Sequence, residues 1–66
     1  MNLNQLHYFV KLAQIEHYTR AAEELNISQP SLSHAIGMLE SELGTKLFEK
    51  RGRNVVLTRY GSFFRE

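Results

Sequence analysis

The chain contains no cysteine. Disulfide frameworks and thiolate zinc sites are therefore excluded. Its three histidines, His7, His17 and His34, are separated by 10 and 17 positions, which matches no zinc finger and no helical metal pair. No apolar run approaches the roughly 20 residues of a membrane span. Met1 is not followed by a basic-then-apolar leader, so a cytoplasmic location and no membrane partner are expected. Repeats, linkers and low-complexity segments are missing as well. Neither a Ser-His-Asp array nor a Gly-rich phosphate loop is present. Glu23 and Glu24 are adjacent carboxylates, but neighbours on a helix diverge by about 100°, so they read as a solvated face. Catalysis is not expected, and neither a metal nor a cofactor is expected within this stretch. At 66 residues the chain is one domain at most.

The net charge of +1 conceals an uneven distribution. Residues 1–45 hold two basic and five acidic side chains, a balance of −3. Residues 46–66 hold six basic and two acidic ones, a balance of +4. A local cluster of this kind, more than net charge, attracts a polyanion.

The pattern of apolar residues predicts a mostly α chain. Asn2 is placed to cap a first helix whose apolar stripe is Leu3, Leu6, Phe9, Val10 and Ala13, ending near Ile15 to His17. Thr19 offers a cap for a short second helix through Leu25, and Asn26 tolerates the left-handed turn that closes it. Ile27 follows as a buried plug. Ser28 caps a third helix with Gln29 and Pro30 in its first turn, where a missing N–H costs little. Gly44 ends it. At about 100° per residue, Leu32, Ile36, Leu39 and Leu43 form one narrow core stripe. Gln29, Pro30, Ser33, His34 and Gly37 form a separate face that is small, polar and free of acid. Two β-compatible runs then flank the basic turn Arg51-Gly52-Arg53-Asn54 and read as a hairpin over about residues 46–57. Thr58 can cap a last helix that starts at Arg59 and is expected to run past Glu66.

Together these elements predict a winged helix-turn-helix: a three-helix core, a β-hairpin wing and the start of a linker helix. The domain proper covers residues 1–58, and the linker helix begins over 59–66. Ala21 and Ala22 suit a close crossing of the second and third helices. The expected buried centre is Leu6, Phe9, Ala22, Leu25, Ile27, Leu32, Ile36, Leu39 and Phe48. A helix-turn-helix places its second helix in the DNA major groove, which assigns candidate roles. Gln29 can pair in bidentate fashion with adenine. Pro30, Ser33 and His34 share its face, while Ser28 and Ser31 can donate to phosphates once capping is satisfied. Arg20 is a phosphate candidate, and Arg51 and Arg53 at the wing tip suit a narrow, A·T-rich minor groove. Gly37 costs the helix about 1 kcal/mol relative to Ala, which close approach of a DNA backbone or simple tolerance explains. Tyr60, Phe63 and Phe64 exceed what so small a core can bury and mark an interface or a missing part of the protein, with dimerisation as the assigned role. The alternative is a winged-helix module for protein–protein contact, which needs neither a positive wing nor salt-dependent DNA binding.

Read in order, the chain closely resembles the amino-terminal DNA-binding domain of LysR-type transcriptional regulators. The matching residues are Leu6 with Tyr8-Phe9, Tyr18-Thr19-Arg20-Ala21-Ala22 with Leu25, and Ser28-Gln29-Pro30-Ser31-Leu32-Ser33. They continue through Ile36, Leu39-Glu40, Leu43-Gly44, Leu47-Phe48-Glu49-Lys50 and Leu57-Thr58 with Gly61. The resemblance implies binding to double-stranded operator DNA, an imperfect A·T-rich palindrome, as a homodimer or homotetramer. It also implies a linker helix that pairs with a second protomer and a carboxy-terminal domain that binds a small-molecule effector. Positions matching Gln29, Pro30, Ser33 and His34 face bases in that family, and the one matching Arg53 reaches the minor groove. The chain departs from the family pattern at His34, where arginine is common, and at Ala35 and Gly37, where longer polar residues are common. Those departures imply a lighter set of major-groove contacts.

Overall fold

The computed structural model describes residues 2–65, with side chains through residue 63. Four helices and one hairpin follow in the order α1 (Leu3–Ile15), α2 (Tyr18–Leu25), α3 (Gln29–Leu43), β1 (Phe48–Arg51), β2 (Asn54–Leu57) and α4 (Arg59–Arg65). This is the three-helix core with a wing and a following helix.

Local chemistry sets the helix ends. Asn2 and Gln5 form a reciprocal capping box at α1, the Asn2 side-chain Oδ1 accepting the Gln5 N–H at 2.8 Å. Glu16 terminates α1 in the left-handed region at φ 61°, a conformation that costs a non-glycine residue about 1–2 kcal/mol. The cap of α2 is His17, not Thr19: its Nδ1 accepts the Arg20 N–H at 3.2 Å. Histidine is absent from the usual capping residues, so the pattern pointed to the nearest hydroxyl. Asn26 closes α2 at φ 58°, Ser28 caps α3, and Gly44 ends α3 at φ 71°, all as expected.

The core runs through Phe9, Leu12, Ala21, Ala22, Leu32, Ile36, Leu39, Leu47, Phe48 and Val55. Ala21 and Ala22 are both buried, as a close crossing of α2 and α3 demands. Four expectations about burial need correction. Leu3 and Val10 lie outward on α1, 83% and 44% exposed, while Leu12 takes the buried place. Leu43 continues the apolar stripe of α3 but extends beyond the core and is exposed. Leu6 is only half-buried. Leu25 and Ile27 are half-buried as well, packed against the rim and not at its centre.

The wing is a two-stranded antiparallel hairpin in the register Phe48↔Leu57 to Arg51↔Asn54. Its strands are shorter than the 46–57 span expected from sequence. Gly52 takes φ 63° at the first central position of the two-residue turn, where type II′ hairpins need a residue free to adopt positive φ. Phe48 at the base of the wing and Val55, one rung from its far end, enter the core. The Phe48 ring meets Phe9 at a centroid distance of 5.4 Å and a tilt of 55°.

Backbone bonds stitch the wing down at two levels. The Val55 N–H donates to the Glu16 carbonyl at 2.9 Å, and the Thr58 N–H to the Leu47 carbonyl at 2.9 Å. The Thr58 hydroxyl donates to the Lys46 carbonyl at 2.6 Å and accepts the Gly61 N–H at 3.1 Å, capping α4. Gly61 is buried against this junction, and a Cβ there would collide with the Leu47 carbonyl oxygen.

Candidate nucleic-acid interface

Four of the candidate residues, Ser28, Gln29, Pro30 and Ser31, sit where α3 begins. The Ser28 hydroxyl oxygen accepts the Ser31 N–H at 3.2 Å and donates to the Ser31 hydroxyl at 2.8 Å. Ser28 is thus committed to capping, while the Ser31 hydroxyl proton stays free to donate outward. Gln29 follows at the tip of the helix, exposed.

Pro30, Ser33, His34 and Gly37 are exposed as well, opposite the buried Leu32, Ile36 and Leu39. Nothing lies within 4 Å of a Cβ built on Gly37, so the space above it is open. The face expected from helical spacing is therefore the face the core leaves free.

The cations occupy other elements. Arg51 ends β1 and pairs with Glu49 at 3.7 Å, both side chains mostly exposed. Solvent screening makes such a pair worth little. Arg53 occupies the turn and Lys50 lies within β1, both exposed and without an ion-pair partner among the described residues. Arg20 is exposed in the first turn of α2.

A groove between α3 and the wing is lined by Tyr18, Ser33, Gly37, Glu40, Lys46 and Lys50, among others. It brings Ser33 and Gly37 onto one surface with the base of the wing. Arg20, Gln29, Pro30, His34, Arg51 and Arg53 lie outside it, on open surface.

Tyr18, Lys46 and Lys50 were not singled out from sequence. The two lysines belong to the basic cluster counted there, but a tally of charge does not say which cation faces a groove. In the sequence Tyr18 stands only as part of the family pattern, with no role attached. Its phenol is pushed above its usual value by burial, and secondarily by the negative charge of Glu40. It therefore stays neutral and able to donate a hydrogen bond at ordinary pH.

Glu40 is the second residue whose role the sequence concealed. Its side chain is only 12% exposed. The carboxylate Oε2 accepts the N–H of Leu47 at 2.7 Å and of Phe48 at 3.3 Å. Oε1 lies 3.8 Å from the Lys46 ammonium. Helical spacing puts it one turn beyond Gly37, and from there it reaches the base of the wing.

Tyr60 and Phe63, 58% and 72% exposed, border an apolar surface with Leu43, Thr45 and Leu47. The third candidate of that group, Phe64, has its side chain outside the described residues. Among the described residues no cluster of histidine and carboxylate side chains suits a metal ion, and no helix is long and apolar enough to cross a membrane.

Comparison with known proteins decides the family. The model of the bacterial regulatory helix-turn-helix proteins of the lysR family matches residues 3–62. The chain belongs to the lysR family. It is 47% identical over 64 residues to the HTH-type transcriptional regulator YybE of Bacillus subtilis, covering 97% of this chain and 22% of that protein. It is 52% identical over 66 residues to the HTH-type transcriptional regulator BudR of Klebsiella aerogenes, covering 100% of this chain and 46% of that one. The chain thus spans less than half the length of these relatives. Among solved structures, the DNA-binding domain of BenM in complex with catB site 1 DNA superimposes with a TM-score of 0.91 at 45% identity, over 97% of this chain and 69% of that one. Members of this family are transcriptional regulators and not enzymes, and this chain is their helix-turn-helix domain.

Proposed function

We propose that the chain is a sequence-specific double-stranded DNA-binding domain of a bacterial LysR-type transcriptional regulator, with α3 in the major groove and the wing at the minor groove and backbone. One observation carries the reading: an exposed, acid-free face on α3, held by a buried stripe beneath it, stands beside a wing whose Lys50 and Arg53 have no ion-pair partner among the described residues. Neutral small side chains on a rigid helix suit base edges, and unpaired cations suit phosphates. Gln29 reads a base, with Pro30, Ser33 and His34 shaping the contact. Ser31, Arg20 and Arg51 engage phosphates, Ser28 supports them through its cap, and Arg53 enters the minor groove.

Residues 1–58 form the DNA-binding unit, and the helix from Arg59 begins the pairing element that includes Tyr60, Phe63 and Phe64. The whole regulator binds an imperfect, A·T-rich palindrome as a homodimer or homotetramer. It responds to a small-molecule effector held by a separate domain and works in the cytoplasm, where its operator lies. Support comes from the BenM domain, whose structure is of a DNA complex. Selection of bound sequences from random duplexes, with two copies of the chain joined through a dimerising coiled coil, tests the proposal. Recovery of two related half-sites with a preference at the Gln29 position is expected. An unenriched pool would overturn sequence-specific binding.

A further inference from the structure

We propose that Glu40 is a positioning residue for DNA binding: from α3 its carboxylate grips the base of the wing at the Leu47 and Phe48 amides and thereby fixes where Arg53 stands relative to the reading face. The functional consequence rests on the DNA-binding reading above.

The geometry supports the assignment in three ways. First, Glu40 is one turn beyond Gly37, on the same rigid helix as Gln29 and Ser33, so whatever it holds is referenced to the reading face. Second, one oxygen takes both N–H groups, at 2.7 and 3.3 Å, just where the chain enters β1. The Leu47 bond has the short length of a charge-assisted bond, and the Phe48 bond is the longer, supporting contact. The carboxylate is largely withdrawn from water, so losing these donors would leave it unsatisfied. Third, the pair Phe48↔Leu57 is the base of the hairpin and Arg51↔Asn54 its far end. Val55, buried and bonded to the Glu16 carbonyl, is the pivot. Arg53 lies two residues beyond it, about 7 Å at about 3.3 Å per residue, so a 10° swing of a released base moves Arg53 by about 1 Å. A displacement of about 1 Å is already enough to loosen a built site. Glu40 touches no DNA in this account; it acts through the wing.

A double-mutant cycle tests it. Glu40 holds the base and Arg53 lies in the turn beyond the far end, so a merely stabilising Glu40 predicts additive effects, within about twofold in affinity. With DNA-binding titrations on folded protein, Arg53→Ala is expected to weaken binding severalfold in the parent chain. The same change in a Glu40→Ala background should cost less than about twofold, because the wing no longer holds Arg53 in place. The change in salt slope caused by Arg53→Ala, about one unit, should vanish in parallel. Glu40→Gln keeps an acceptor oxygen and should restore the full Arg53 effect. If Glu40→Ala does not fold, Glu40→Asp carries the cycle, since it keeps the charge but withdraws it by one methylene. Equal Arg53 effects in all backgrounds would overturn the proposal. If Arg53→Ala is silent in the parent chain, the wing half of the DNA reading fails on its own. Glu40 is then judged in the free protein by amide exchange and dipolar couplings. Loss of protection at Leu47 and Phe48 with a reoriented hairpin supports positioning, and an unmoved hairpin refutes it.

Discussion

Between Gln29 and Leu43 there is no lysine or arginine, and between Lys46 and Leu57 there are four. The two regions are neighbours across one groove, yet one offers short neutral side chains on a rigid helix and the other long cations on a two-stranded ribbon. Packing explains the rigidity of the first: Leu32, Ile36 and Leu39 are almost wholly buried directly beneath the exposed face. The second is anchored along one side, at its base through Phe48 and the bonds to Glu40 and nearer its far end through Val55 and its bond to Glu16, and its turn is free. Under the proposed function, attraction and reading fall to different elements. Charge without fixed geometry draws in any duplex, whereas fixed geometry without charge discriminates among them.

The largest change that breaks this division is Leu32→Ala. Truncating a fully buried leucine costs about 2–5 kcal/mol, against a total of about 3–5 kcal/mol for a core of this size. Thermal or denaturant unfolding should show a chain that is largely unfolded at ambient temperature, and binding to every duplex should fall together. A folded variant that loses only sequence preference would mean that Leu32 supports the face without holding the domain.

Gln29→Ala separates the two regions more cleanly. It should cost about 1–3 kcal/mol at the preferred site and leave binding to random duplex and the melting temperature unchanged. Equal losses on both duplexes would remove Gln29 from the set of base readers. Arg53→Ala is the mirror experiment. It should weaken binding on most sequences and shallow the dependence of affinity on salt by about one unit, with an added loss where the flanks are A·T-rich. An unchanged slope would mean that the wing tip stands away from the duplex.

How far these regions could be read in advance also differs. The limits of α3 were legible because each signal is local: Ser28 caps its own helix, Pro30 falls in the first turn, and Gly44 takes positive φ. The exposed face follows from the same periodicity. In α1 the periodicity misled. Leu3, Leu6, Phe9, Val10, Leu12, Ala13 and Ile15 surround much of the helix, so contact with the other helices, and not spacing, selects Phe9 and Leu12 over Leu3 and Val10. The wing was legible as a hairpin through its basic, glycine-containing turn. Its attachment was not, because Glu40 and Glu16 bind backbone amides several to many residues away, and a backbone amide has no sequence signature. Arg20, Arg51 and Arg53 show the remaining gap. Their exposure was expected, but whether each meets a phosphate is decided by the docked duplex and not by the chain.

The smallest predicted effect tests the one place where the two regions exert opposite demands. Gly37 lies within α3, exposed, with no atom within 4 Å of an added Cβ. On propensity alone Gly37→Ala should stabilise the free domain by about 1 kcal/mol, since nothing in the protein opposes the methyl group. It also lines the groove between α3 and the wing, where the proposed docking puts the sugar-phosphate strand that separates the major groove from the minor. If glycine is there to admit that strand, the alanine variant should melt higher and bind DNA more weakly, the loss falling on specific and random duplexes alike because backbone and not bases is displaced. Melting temperature and affinity measured on the same protein decide between the roles. A variant that is more stable and binds with unchanged affinity would assign Gly37 to simple tolerance, and one that is less stable would show that open space above the helix does not govern this position.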